Sequence, residues 1–155
     1  MISTKIEMSF NKIARLTDAA DLAELLFPGN RNQQYAFLAV WVSLKWSDHH
    51  MVPNLAAVAG KHHISKRTLE RVRAKMRRMG LIDHVSRFNT RHGCREGWIL
   101  SSRFENSLRQ LADKVADLKD ATKGSSEKDV MLLEYAEVRQ RAAKRHDHIQ
   151  DEVSR

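Results

Sequence analysis

Residues 64–82, ISKRTLERVRAKMRRMGLI, constrain the fold more tightly than any other stretch of the chain. At 100° per residue, Leu69, Val72, Met76 and Met79 fall within an arc of about 80°, a single apolar stripe on an otherwise polar helix. Ser65 precedes it with a side-chain oxygen able to cap the first turn, and Gly80 follows with the freedom to take a left-handed C′ position. The pattern predicts a helix capped by Ser65, running to Met79 and buried along one side. Its remaining faces are strongly basic. Between Lys61 and Arg95 there are eleven Lys/Arg against two acids, Glu70 and Asp83, a net of +9. The whole chain carries +8, so everything outside that window sums to −1. Positive charge gathered in one window fits a nucleic-acid partner better than a general surface property does.

With 155 residues and 30% charged side chains, the chain has room for one compact domain and a helical extension. All three tryptophans lie between residues 41 and 98, which marks that region as the expected core. The opening MISTKIEMSFNK has no long apolar run, so no signal peptide is expected, and no stretch is long enough to cross a bilayer. The one cysteine, Cys94, excludes an intrachain disulfide. The expected location is cytoplasmic, in association with the nucleoid.

Residues 1–17 fit a strand and a helix about equally. Asp18 to Phe27 predicts a short helix with acids in its first turn, stopped by Pro28-Gly29. Arg31 to Trp46 predicts a second helix, apolar on nearly every side, which must be covered on several faces or form a subunit interface. His49 to Pro53 suits a loop or one brief strand. Asn54 to Lys61 predicts a short helix capped by Asn54. Leu81 to Ser86 and Gly97 to Ser101 predict two strands of a hairpin whose long tip is RFNTRHGCRE. Phe104 to Leu118 predicts a helix, residues 122–129 (TKGSSEKD) a linker, and Val130 onward a final helix. On that last helix Met131, Tyr135, Val138, Ala142 and Ile149 occupy heptad positions, and Arg145 interrupts the stripe. The polar end RHDHIQDEVSR is expected to fray.

The order helix, short strand, helix, turn, helix, strand, basic tip, strand resembles a winged helix-turn-helix. VAGKHHISKRTLER (58–71) is similar to the helix-turn-helix pattern in which an apolar-Ala pair leads through a turn to Ile-Ser and then Arg-Thr-Leu. RRMGLI followed by a hairpin looks like the exit from a recognition helix into a wing. The resemblance covers about residues 31–105. His63 stands where such proteins usually carry glycine, and His62 where an apolar residue is typical. The fold class implied is mainly α with a small β-hairpin, a winged helix-turn-helix domain plus a C-terminal helical extension. The corresponding division is an N-terminal helical arm (1–30), the winged domain (31–121), and a linker with an oligomerising helix (122–155).

The resemblance implies a double-stranded DNA partner, with a recognition helix at 65–79 in the major groove. On it Ser65, Lys66, Arg67, Thr68, Glu70, Arg71, Ala74, Lys75 and Arg78 are the candidate contacts. Arg67 and Arg71 have the reach and paired donors to read guanine, and Ala74 is small where the backbone must come close. Glu70 can accept from a cytosine amino group or pair with Arg73 or Arg77. Lys75 and Arg77 fit phosphate or solvent better than bases. The wing at 87–96 offers Arg87, Asn89, Thr90, Arg91, His92 and Arg95, which suit the backbone or minor groove more than base edges.

Eight histidines and Cys94 match no zinc spacing, so no metal, cofactor or small-molecule ligand is expected. Nor is catalysis, since no orienting group or oxyanion donors accompany them. The last helix lies outside the winged domain's own core and is marginal alone, so a homodimer is expected. The biological reading is transcriptional regulation by a dimer. The alternatives are an accessory or initiator protein for replication or partition of a plasmid, phage or mobile element, and a non-enzymatic protein–protein adaptor.

Overall fold

A computed structural model describes residues 3–153, mainly helical with a small three-stranded antiparallel sheet. The polypeptide divides into two units at Ser107/Leu108. The first holds α1 (Phe10–Ala14), α2 (Ala19–Leu26), α3 (Arg31–Trp46), β1 (Met51–Val52), α4 (Leu55–Lys61), α5 (Lys66–Met79), β2 (Ile82–Val85), β3 (Gly97–Leu100) and the start of α6 (Arg103–Lys119). The second holds the rest of α6 and α7 (Ser126–Val153).

Local chemistry sets most helix ends. Asp18 accepts from Asp21 N–H at 3.0 Å, while the Asp21 carboxylate accepts the Thr17 N–H and hydroxyl, so the start of α2 is held reciprocally. Hydrogen bonds from Thr17 hold the Asp21 carboxyl below the usual aspartate value. Asn30 caps α3 and Asn54 caps α4 through their side-chain oxygens. The α4–α5 turn puts His63 in the left-handed region, φ 55°, with Ile64 N–H donating to Ala59 O at 2.9 Å. That bond closes the end of α4, and His63 adopts for it a conformation that glycine enters more easily. Tyr35 braces the turn, its hydroxyl donating to the His62 carbonyl at 3.4 Å. His50 also serves a helix end, its Nδ1 lying 2.8 Å from the Lys45 carbonyl of α3.

The sheet order is β1-β3-β2, with Val52 opposite Trp98 and His84 opposite Trp98 on the other side. The hairpin therefore gains a third strand from the segment between α3 and α4. Gly97 permits the close approach: a Cβ there would lie 2.8 Å from the Val52 carbonyl oxygen. The core is built from Ala23, Leu26 and Phe27, from Phe37, Val40 and Leu44 of α3, and from Leu55, Leu69, Val72, Met76 and Ile82. Phe27, Phe37 and Trp41 stack in sequence with ring centroids 5.8 and 5.5 Å apart. α3 is covered by α2, α4, α5 and the sheet, yet Tyr35, Val42 and Trp46 remain exposed.

Several expectations need correction. Of the 1–30 segment, α2 is not set apart from the core: it buries Ala23, Leu25 and Leu26 in the first unit. The residues before α1 are tied in as well, with Glu7 N–H donating to Leu25 O at 2.9 Å. Only Trp98 of the three tryptophans is buried; Trp41 is half-buried and Trp46 exposed, with Lys45 over its ring. The domain expected at 31–121 and its linker at 122–129 also shift. The units divide within α6, and α7 begins at Ser126, four residues before the expected Val130. The reason is local: Ser125 accepts from Lys128 N–H through its hydroxyl and from Asp129 N–H through its carbonyl. Of the end expected to fray, 145–155, residues 145–153 lie in α7, and residues 154–155 fall outside the described residues.

Candidate nucleic-acid interface

α5 buries Leu69, Val72 and Met76 and leaves Lys66, Arg67, Glu70, Arg71, Arg77 and Arg78 exposed; Ala74 and Met79 are half-buried. Ser65 and Thr68 are engaged with each other: Ser65 accepts from Thr68 N–H at 3.1 Å and its hydroxyl donates to that of Thr68 at 2.8 Å. Among the described residues Glu70 has no ion-pair partner. Arg73 and Arg77 instead lie over the Trp98 ring, 5.6 and 5.9 Å from its centroid. Stacking of that kind holds a guanidinium in place while leaving its N–H groups to other partners.

Arg67, Glu70, Arg71 and Ala74 form one wall of a cleft of about 740 Å³, faced by Ser3, Lys5, Asn30 and Gln33. Sequence reasoning missed those opposing residues, since nothing local ties positions 3–5 to α5. A second hollow, about 610 Å³, is lined by Arg73, Ala74, Arg77, Arg78, Asp83 and Arg103. Arg103 grips Asp83 through Nε and Nη2, and its Nη2 also donates to the Arg77 carbonyl at 3.3 Å. Burial pushes the Asp83 carboxyl up, but hydrogen bonds from Arg103 and Ser101 and the charges of Arg103 and Arg77 outweigh it, and the net shift is downward.

Lys75 also lines the first cleft, but its ammonium is engaged within the fold. Its side chain is 8% exposed and turns inward, donating to the Leu26 carbonyl and, at 2.5 Å, to the Lys5 carbonyl. The ammonium also lies 4.8 Å from the centroid of the Phe27 ring. The last carbonyls of a helix have no partner within it. At the end of α2, Leu25 O accepts from Glu7 N–H, Leu26 O from Lys75, and Phe27 O from the Gln34 amide at 2.9 Å. Lys75 is thus an internal cap for α2, and burial pushes its pKa below that of an ordinary lysine. The unfolded chain then holds the proton more tightly, so stability rises with pH between the lowered and the ordinary lysine values. Lys75→Met keeps most of the stem but leaves two carbonyls without their charged donor. A loss of about 1–3 kcal/mol in denaturant unfolding is expected, together with disappearance of the alkaline rise.

The loop between β2 and β3 exposes Arg87, Thr90, Arg91 and Arg95, with Asn89 and His92 half-buried. Asn89 accepts from Arg91 N–H at 3.0 Å, so its carbonyl oxygen shapes the loop, leaving the amide N–H₂ for a partner. A single 3₁₀ turn at Thr90–His92 ends on Gly93 in the left-handed region. Phe88 is 78% exposed at this loop with Arg87 over its ring, an aromatic that no local pattern singles out. Both strands that carry the loop pair with each other, and β2 follows α5 after Gly80 and Leu81.

Among the described residues no three His, Cys, Asp or Glu side chains gather as a metal site, and no helix is long and apolar enough to cross a membrane. Cys94 is a free, exposed thiol. No family model matches the chain, and no curated protein or solved structure matches it.

Proposed function

We propose that the first unit is a winged helix-turn-helix that binds double-stranded DNA, with α5 as recognition helix in the major groove and the β2–β3 loop as wing. The observation that carries this reading is the division of α5: Leu69, Val72 and Met76 buried, and Arg67, Glu70, Arg71 and Arg78 exposed on the other faces. A long basic side chain near the N-terminal half of such a helix can reach base edges while the buried face holds it rigidly. Arg67 and Arg71 are assigned to bases. Lys66, Arg78, Arg87, Arg91 and Arg95 are assigned to phosphate, with Thr90, His92 and the Asn89 amide beside them. Trp98 steadies Arg73 and Arg77 from the sheet. The role proposed for this module is transcriptional regulation by a dimer that occludes a promoter.

A titration of the full chain with random-sequence duplex tests the core of this reading. Binding is expected at low salt, weakening as salt rises with a log–log slope near about −5 if about six phosphates are neutralised. Absence of duplex binding at low ionic strength would overturn it and favour a protein-binding adaptor, whose basic helix meets an acidic partner instead.

A further inference from the structure

The second unit offers a surface that DNA binding does not use. α7 is one continuous helix from Ser126 to Val153. Met131, Tyr135 and Val138, at alternating heptad spacing, are exposed by 63–67% of their surface. An isolated helix in water is marginal unless such a stripe is covered. Its charges are segregated along the chain. From Glu127 to Glu137 there are four acids against one lysine, a net of −3. From Arg139 to Arg145 there are four Arg/Lys and no acid, a net of +4.

We propose that α7 pairs with α7 of a second copy in the antiparallel sense, acidic half on basic half. The proposal rests on the dimeric reading above and fixes the surface and direction of the contact. Charge decides the direction. A parallel, in-register pair would stack like-charged halves and set Arg145 against its own copy in the seam, burying two guanidinium groups without a counter-ion. The antiparallel pair, centred near residue 137, opposes the two blocks. It sets Met131 against Ala142 and Tyr135 against Val138 of the other copy, and brings Glu134 beside Arg141 on each flank. Arg145 then falls near the end of the overlap, where its head group stays in water. An overlap of about 20 residues spans about 30 Å, so the linkers leave such a pair from opposite ends; a parallel pair would release them side by side.

The test uses the full chain. Glu134→Lys alone and Arg141→Glu alone each replace two attractive contacts with repulsive ones, and each should weaken self-association about tenfold in sedimentation equilibrium. Mixing the two variants restores opposite charges at both flanks, so a heterodimer of near-native affinity is expected. A nitroxide placed by Asp147→Cys, with Cys94→Ser to leave one reactive thiol, should report about 30 Å between copies. A separation of about 10–15 Å would overturn the antiparallel direction while leaving a dimer through α7 intact. Unchanged association of both charge variants would show a dimer held elsewhere and overturn the α7 contact. A monomeric mass at every concentration would remove both this proposal and the dimeric reading, yet leave DNA binding by the first unit standing.

Discussion

Gly80→Ala is expected to destabilise the first unit by about 3 kcal/mol, visible as a fall in Tm on the order of 15 °C. Two costs combine. Gly80 ends α5 with φ 84°, where an L side chain costs about 1–2 kcal/mol. The position is also buried against the start of α6, and a Cβ there would lie 2.8 Å from Arg103 Cβ and 3.1 Å from the Phe104 nitrogen. Those atoms are a Cβ and backbone, not a flexible side-chain end, so the overlap is relieved only by moving α6 or β2. Phe104 N–H donates to the Gly80 carbonyl at 3.0 Å and Ser101 N–H to Leu81 at 2.9 Å, and that movement strains both bonds. Thermal unfolding followed by tryptophan fluorescence reads the effect. A loss below about 1 kcal/mol would mean that the α5 exit accommodates a side chain and that the clash is not real.

The second large effect concerns specificity. Arg67→Ala and Arg71→Ala should each weaken binding to the protein's own site by about 5- to 150-fold, the equivalent of about 1–3 kcal/mol. Binding to random duplex should fall much less. Arg91→Ala should lower both affinities about equally and flatten the salt slope by about one, as expected for a phosphate contact. The exposed placement of Arg67 and Arg71 along one cleft wall motivates the first expectation. Selecting the preferred site from a random pool and then measuring the variants on it gives the comparison. Equal losses on both duplexes for Arg67 and Arg71 would assign them to phosphate and move base reading to another part of the surface.

Where short-range signals govern, residues and structure agree closely. Ser65, Asn54 and Asp18 act within three residues of themselves, and each begins the helix expected of it. Arg31–Trp46 is a single helix with the bounds its apolar run implied. Ser125 is an equally local signal, but the serine and glycine around it have the composition of a linker. The candidate interface was less legible than its charge. Lys75 sits on the same helix as Arg71 and Arg78, and composition cannot separate it from them. Its partners are the Leu26 and Lys5 carbonyls, 49 and 70 positions away in the chain.

The sequence by itself determined where the helices from α2 to α6 lie, which stripe of α5 is buried, and where positive charge collects. Those properties arise from capping bonds, 3.6-residue periodicity and composition, all of which act within a few neighbouring residues. Tertiary structure alone decided which basic residues face outward, because burial depends on elements that meet only after folding. It turned Lys75 into a cap for α2, drew Arg73 and Arg77 onto Trp98, and brought residues 3–5 across from Arg67 and Arg71. It also decided between the loop and the brief strand open to residues 49–53, pairing Met51 and Val52 with β3 as the third strand of the sheet.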